Sequence, residues 1–348
     1  MVVKIGAIGT GRRGKDHLRR LAQMDDVKIT AVCDILPGVA QEAAAIGNSR
    51  KYLDYREMLK QEELDAVVVA TPAPVHADPT VLALEQGIPV MCEKPLAWTL
   101  DDALRIVKAA EETGCICETG YQWRHNDFLQ KALDRLRGSG VALVRGTWYH
   151  TIPLVESIRD VKTGGGQIFD QSTHIIDLSR YFAGDISTLY GAYTLNARTR
   201  AEFDNYENWD GYAVTVKYMS GAVGGFTGTY ALFIGHGEPV VLDIVGSEIL
   251  VKFLGDQLTI TTPSGIETLG QETAGFTAGA DIIGNFIKAV QTGDRDLIKS
   301  PPSDSIKTLA ATIGANLSAQ TGDLISPEEL IARASAGENI AAVDLTYL

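Results

Sequence analysis

The chain has 348 residues, 45% hydrophobic and 22% charged, with a formal net charge of −13 at pH 7. That length carries two domains and a large core, and the composition is that of a soluble globular protein. The acidic balance argues against nucleic acid and anionic membranes as main partners, since both favour a basic surface. It leaves room for an anionic substrate held by a few local groups. No apolar run reaches the ~18 residues of a membrane span. The first strand begins at Val2, so no signal peptide is expected and the expected location is cytoplasmic. The four cysteines, Cys33, Cys92, Cys115 and Cys117, read as buried free thiols of a reducing compartment. No C-x-x-C spacing and no His/Cys cluster suits zinc, so no metal is expected.

In chain order, Val2 to Gly9 reads as a buried strand and Lys15 to Met24 as a helix with Leu18, Leu21 and Ala22 on one side. Between them Gly9, Gly11 and Gly14 form G-x-G-x-x-G, with Arg12 and Arg13 inside it. A dinucleotide needs that context: a tight turn at the first glycine, close backbone approach to pyrophosphate at the second, and close helix–strand packing at the third. The helix-start N–H groups then face the pyrophosphate. Ile29 to Asp34 is the next strand, and Asp34 stands where an acid bonds the adenosine ribose. That acid favours NAD over NADP by repelling a 2′-phosphate, although Arg12 or Arg13 would be placed to approach such a phosphate.

Helices at Val39 to Ile46, Tyr55 to Lys60, His76 to Gln86 and Asp101 to Glu112 alternate with strands at Lys51-Tyr52, Leu64 to Ala70, Pro89 to Cys92 and Cys115 to Thr119. This alternation argues a parallel sheet over 1–121. After Gly120 the pattern changes. Helices are expected at Arg124 to Arg137 and Phe169 to Phe182. Strands follow at Val141 to His150, Leu189 to Ala197, Asp210 to Tyr218, Ala222 to Leu232, Val240 to Val245, Glu248 to Phe253 and Gln257 to Thr262. Two more helices, Ala278 to Gln291 and Pro302 to Ala319, come after them. The fold class is α/β plus α+β: a dinucleotide-binding domain over 1–121, then 122–348 with a large, mostly antiparallel open sheet covered on one face. The pocket is expected near the junction at 121. The tail from Ser326 is apolar enough in places to pack on a neighbour and is left unassigned.

Three stretches carry chemistry. Pro95 ends a strand and leaves Lys94, beside Glu93, at its C-terminal rim, where an ammonium can donate to an alcohol or carbonyl oxygen. Asp170 and His174 lie four apart on an expected helix and so on one face; Asp170 would orient an imidazole suited to taking a proton near neutral pH. The plain alternative is a buried pair that only anchors the helix. Asp177 would join or cap that network. Thr71-Pro72 with His76 ends another strand, where backbone and hydroxyl would meet the cofactor; His76 reads equally as a surface or capping residue. Trp148, Tyr149, His150 and Arg159 are candidates for lining the substrate pocket, Arg159 for a charged group, with strand and loop surface as the alternative.

Gly9-x-Gly11-x-x-Gly14, Asp34, Ala70-Thr71-Pro72 with His76, Glu93-Lys94-Pro95, and Gly164-Gly165-Gly166 with Asp170-x-x-x-His174 together resemble the glucose–fructose oxidoreductase, inositol dehydrogenase and rhizopine-catabolism (Gfo/Idh/MocA) family. The resemblance runs to Ser300-Pro301 and Asp304. It implies a Rossmann domain, a C-terminal domain with an open sheet, and NAD or NADP used on a sugar or cyclitol. It further implies that Lys94 contacts the reacting oxygen, that His174 transfers the proton, and that Asp170 binds substrate or relays charge. Gln122 falls where the family has asparagine near the nicotinamide, with Trp123 and Arg124 beside it. Pro74 and Gln171-Ser172-Thr173 depart from the family pattern, which bears on substrate choice. The implied partners are a small sugar or polyol and a second copy of the chain, as homodimer or homotetramer. Two other readings stay open: an NAD-retaining glycosidase or lyase that oxidises its sugar transiently, and a non-catalytic sugar sensor.

Overall fold

The computed structural model describes residues 2–348 except 154, 196–204, 233–234, 256, 271–280, 345 and 347–348. The chain forms two compact units, Met1–Tyr121 with Asp281–Ile306, and Gln122–Ala280 with Lys307–Leu348.

The first unit is built on six strands: β1 Val3–Ile8, β2 Val27–Cys33, β3 Arg50–Tyr52, β4 Ala66–Val69, β5 Val90–Cys92 and β6 Cys117–Thr119. Their order is β3-β2-β1-β4-β5-β6, and every neighbouring pair is parallel. Parallel strands are covered on both faces and read as continuous apolar runs; all residues of β4 and β5 are buried. Strand order reverses between β1 and β4, which makes the C-terminal ends of these strands the binding crevice of such a sheet. Helix limits follow local chemistry. Thr99 caps Leu100–Thr113 by accepting from the Asp102 N–H, and Gly114 ends it in the left-handed region at φ 64°.

The return of 281–306 differs from the expected division at 121. The helix Ile282–Thr292 lays Ile282, Ile283, Phe286 and Ile287 into the core formed by Val3, Ile5, Leu18, Leu21 and Ile29. Farther on, the buried Glu118 carboxylate accepts from the Ser300 N–H at 2.8 Å and the Lys299 N–H at 3.1 Å, while Thr119 N–H donates to the Ser300 carbonyl at 2.9 Å. The apolar face of β1 and β2 is thus closed by residues more than half the chain away.

The second unit has eight strands: β7 Val141–Thr151, β8 Ile186–Thr194, β9 Gly211–Tyr218, β10 Val223–Leu232, β11 Val241–Gly246, β12 Ile249–Leu254, β13 Gln257–Thr262 and β14 Gly265–Leu269. Their order is β14-β13-β12-β11-β7-β10-β9-β8. Only β7 and β10 pair in parallel; the other pairs are antiparallel. Along β7, buried Val144, Gly146 and Trp148 alternate with exposed Leu143, Arg145 and Tyr149, the pattern of a sheet with one covered face. The helix Thr173–Ala183 covers it: a Cβ on Gly146 would come 2.4 Å from Phe226 and 3.1 Å from Ile175.

Several elements depart from expectation. The helix expected over Arg124 to Arg137 is a 3-10 turn, Gln122–His125, followed by Leu129–Leu136. The strand β14 and the helix Pro327–Ser335 were not anticipated. Ala197 and Ala278, expected ends of elements, lie outside the described residues. The tail packs on its own unit: Ala342 and Val343 are buried, and Asn316 donates to the Ala342 carbonyl at 2.7 Å. Cys33, Cys92 and Cys117 are buried free thiols, pushed up in pKa by burial, whereas Cys115 precedes β6 and is half-exposed. Among the described residues no helix is long and apolar enough to cross a membrane, and no group of His, Cys, Asp and Glu is arranged to hold a metal.

Because Phe286 is fully buried in the core of β1 and β2, Phe286→Ala should destabilise the first unit by about 3–5 kcal/mol. Urea unfolding followed by far-UV circular dichroism measures this; a loss no larger than that of a surface substitution would contradict the packing.

Candidate active site

In the first unit, three glycines set the turn after β1. Gly9 has φ 79°, and a Cβ there would sit 2.5 Å from the Thr71 nitrogen. A Cβ on Gly14 would sit 2.2 Å from the Gly9 carbonyl oxygen. These two positions exclude side chains because backbone meets backbone. Gly11 differs, since a Cβ there meets no atom within 4 Å. The space beside Gly11, at the start of the helix Arg12–Leu21, is open. A pyrophosphate fits there against the first N–H groups of the helix.

Asp34 follows β2. Its Oδ2 accepts from the Thr10 N–H at 2.8 Å, and its Oδ1 from the Leu36 N–H at 3.0 Å. The carboxylate is therefore held beside the glycine turn with lone pairs to spare for ribose hydroxyls. The donor set and the open glycine together suit a dinucleotide.

Glu93 organises the ends of β5 and β6. Its Oε1 accepts from Arg13 Nε at 2.9 Å and from His17 Nε2 at 2.6 Å; its Oε2 accepts from the Lys94 N–H at 3.1 Å. Burial opposes the charge on Glu93, but the His17 hydrogen bond and the Arg13, His17 and Lys94 charges outweigh it and hold the carboxyl well below the usual carboxylate range. Gly120 completes the corner: a Cβ there would lie 2.9 Å from both Glu93 Oε2 and Lys94 N. The carboxylate thus fixes the backbone that carries Lys94. His17 and Gly120 escaped the sequence reading. The signal for His17 was a polar residue on the apolar side of its helix, next to Leu18 and Leu21.

Two expected cofactor contacts take other roles in the structure. Arg13, considered for a 2′-phosphate, bonds Glu93 through Nε, while Arg12 is exposed. His76 is not a surface residue; it stands at the N-cap position of the helix Ala77–Glu85, but its side chain makes no cap hydrogen bond. It is buried, with Nδ1 2.9 Å from the Pro95 carbonyl and Nε2 2.6 Å from the Thr71 carbonyl, and burial lowers its pKa. Its ring packs between the Thr71-Pro72 end of β4 and the Lys94-Pro95 end of β5, and in its neutral form one nitrogen donates to one of the two carbonyls.

In the second unit, Asp170 and His174 do not share one helix. Asp170 closes the short helix Gln167–Asp170, and His174 lies in the first turn of Thr173–Ala183. The chain widens between them: the Ser172 N–H donates to the Gln167 carbonyl, five residues back, at 2.8 Å. The Tyr212 hydroxyl donates to Ser172 Oγ at 2.7 Å and pins this break. Gly165 and Gly166, at φ 70° and 84°, make the preceding turn. The buried Tyr230 phenol is raised in pKa by burial and then by the charge of Asp170.

His174 is buried, and Trp123 stacks on its ring with centroids 5.0 Å apart and planes inclined by 30°. Trp123 also stacks on Trp148 at 5.8 Å. Neighbouring Arg124, considered for cofactor contact, instead forks onto Asp177, Nε to Oδ2 and Nη2 to Oδ1, both at 2.7 Å and buried. Thr308 Oγ1 donates to the same carboxylate at 2.9 Å. Asp177 is thus committed to this network and not to the Asp170–His174 pair. Gln122, buried, begins the same 3-10 turn. Tyr149 lies on the exposed face of β7, opposite to Trp148, with its hydroxyl 3.2 Å from Thr227 Oγ1. Arg159 Nε donates to the Pro153 carbonyl at 2.8 Å and Nη1 to Asn205 at 3.1 Å. His150 Nδ1 lies 3.1 Å from the Thr151 carbonyl. The geometry therefore gathers Trp123, Trp148 and His174, and leaves Tyr149 on the other face of the sheet.

Residues 3–121 match the model of an oxidoreductase family with an NAD-binding Rossmann fold, and residues 139–251 match that of the GFO/IDH/MocA C-terminal domain. The chain belongs to the Gfo/Idh/MocA oxidoreductase family. It is 31% identical over 189 residues to a rhizopine catabolism protein of Rhizobium meliloti, covering 53% of this chain and 58% of that one. It is 31% identical over 193 residues to an inositol 2-dehydrogenase of Salmonella paratyphi B, covering 53% and 56%. The match thus spans little more than half the length of these relatives. An oxidoreductase from Agrobacterium radiobacter, solved with NAD+, L-tartaric acid and magnesium, shares the fold with a TM-score of 0.82 at 19% identity, over 95% of this chain and 100% of that one.

Glu93→Gln should cost about 1–3 kcal/mol of stability, because Arg13 and His17 lose their shared buried carboxylate. The folded carboxyl titrates below its unfolded value of about 4.3. Its contribution is therefore present above that pH and lost as pH falls through the folded value, so the gap between wild type and variant should narrow in acid. Urea midpoints at neutral and acidic pH test this; a gap that widens in acid would reverse the sign.

Proposed function

We propose that this chain is an NAD-dependent dehydrogenase acting on a secondary alcohol of a sugar or cyclitol. The observation that carries the reading is the glycine turn that opens at Gly11 beside Asp34, on a chain that also bears Lys94, Asp170 and His174. A relative named inositol 2-dehydrogenase supports the substrate class.

NAD, when bound, supplies the hydride acceptor. Gly9, Gly11 and Gly14 admit its pyrophosphate and Asp34 takes the ribose hydroxyls. Thr71, Pro72 and Gln122 are assigned to the nicotinamide end. His76 and Glu93 act on that end through the backbone they hold. His174 accepts the hydroxyl proton, Lys94 donates a hydrogen bond to the reacting oxygen, and Asp170 orients His174 or a neighbouring hydroxyl. Reduction uses the same groups in reverse. NAD is favoured over NADP because Asp34 opposes a 2′-phosphate and Arg13 Nε is engaged by Glu93. We further assign the exposed sheet face, with Leu143, Tyr149, Tyr190, Val223 and Leu254, to contact between copies of the chain. Arg159 and Tyr149 are not given a substrate role, since their contacts lie in a loop and on that open face.

NADH absorbance across a panel of cyclitols and aldoses, with NAD and NADP in parallel, tests the reading. Turnover of one polyol with NAD is the expected result; tightly retained NAD with no turnover would favour transient oxidation during bond cleavage. With the substrate so identified, His174→Ala should lower kcat about 10²–10⁴-fold, whereas a sensor would lose little affinity. Gly11→Ala should leave the melting temperature within a degree or two (about ±0.5 kcal/mol) and weaken NAD binding at least about tenfold by calorimetry. Unchanged affinity would place the dinucleotide elsewhere.

A further inference from the structure

The stacked rings of the second unit have a consequence for proton transfer. Trp123 lies on the face of His174 at 5.0 Å, within the range over which an indole attracts a cation. Trp148 stands 6.4 Å from the same imidazole and 5.8 Å from Trp123. The pose of Trp123 is set by its neighbour, because Arg124 forks onto Asp177, one helical turn beyond His174. A neutral imidazole gains little from an indole face, while an imidazolium gains the attraction of the ring quadrupole. We infer that Trp123 is a positioning residue that raises the proton affinity of His174 by presenting its indole face to the imidazole. The inference rests on the proposed role of His174 for its catalytic meaning, though not for the stack itself.

Other charged or titratable groups stand on this helix and on the elements around it. Asp170 stands on the preceding short helix, Arg124 and His125 on the 3-10 turn, His150 on β7, Tyr212 on β9 and Tyr230 on β10, and Asp177, Arg180 and Tyr181 on the helix itself. On the outer sheet face, Arg145 bonds Asp243, and Tyr149 is exposed there. None of these residues is changed by a substitution at Trp123 alone.

The test is an NMR titration of the His174 ring in the full chain, for wild type, Trp123→Phe and Trp123→Leu. The resonance is identified among the six histidines by its loss in His174→Asn. Trp123→Leu should lower the pKa of His174 by about half a unit or more, with Trp123→Phe, a weaker π-face, between the two. An indole that merely fills space predicts the opposite: water enters and the pKa stays or rises. An unchanged or raised pKa, or a phenylalanine no better than leucine, would overturn the inference. If the leucine variant does not fold, Trp123→Phe against wild type decides, since it must lower the pKa as well. Where a substrate is turned over, the acidic limb of kcat/KM should move to lower pH by the same amount. A shift seen by NMR without any turnover would leave the stack intact and remove the proposed function instead.

Discussion

A parallel sheet covered on both faces has no place for polar side chains except at the ends of its strands. In the first unit β4 and β5 are apolar and buried through their length, and most of the groups with chemistry follow where the strands stop: Thr10 and Asp34 after β1 and β2, Thr71 after β4, Glu93 and Lys94 after β5, Gly120 after β6. Because all neighbouring strands run parallel, these ends fall on one edge of the sheet. Burial of the strands, which stabilises the sheet, is thus also what concentrates the polar groups.

In both units a side chain with a proposed role is fixed through its neighbours. Next to Lys94, Glu93 collects Arg13, His17 and the Lys94 N–H on one carboxylate. Next to Trp123, Arg124 grips Asp177 in a forked pair, and that aspartate lies on the helix of His174. A buried ion pair contributes little net stability against well-packed apolar residues, but removing one partner is costly. Such pairs hold geometry more than they add free energy. His76 lies between the carbonyls of Thr71 and Pro95, and as an uncharged ring it donates to one of them while filling the space against the other.

Much of this was legible where the signal is local. The glycine spacing, the acid after β2, the apolar runs of the parallel strands and the proline that stops β5 each act through nearest neighbours in the chain. The illegible parts depend on distant pairing. Nothing near Arg124 shows that its partner is Asp177 and not a phosphate, and nothing near Glu93 announces His17. Asp170 and His174 keep helical spacing in the sequence, yet Ser172, pinned by Tyr212, interrupts the helix. The strand Gly265–Leu269 carries little apolar pattern because it is an edge strand with exposed residues. The helix Pro327–Ser335 was readable in principle: Ser326 and Glu329 have capping-box spacing, the Ser326 hydroxyl accepts from the Glu329 N–H, and Pro327 occupies the first turn.

The first unit is written in two pieces of chain, and synthesis delivers them far apart in time. When Tyr121 has left the ribosome, all six strands exist, but Ile282, Ile283, Phe286 and Ile287 have not been made. The apolar surface they will cover on β1 and β2 must wait, and Glu118 waits for Ser300. A nascent chain halted in this interval presents a wet hydrophobic face and a buried-type carboxylate with no donors. The fold therefore ties completion of its first unit to the synthesis of Asp281–Ile306, and fragments cut at the apparent domain boundary would be prone to aggregate.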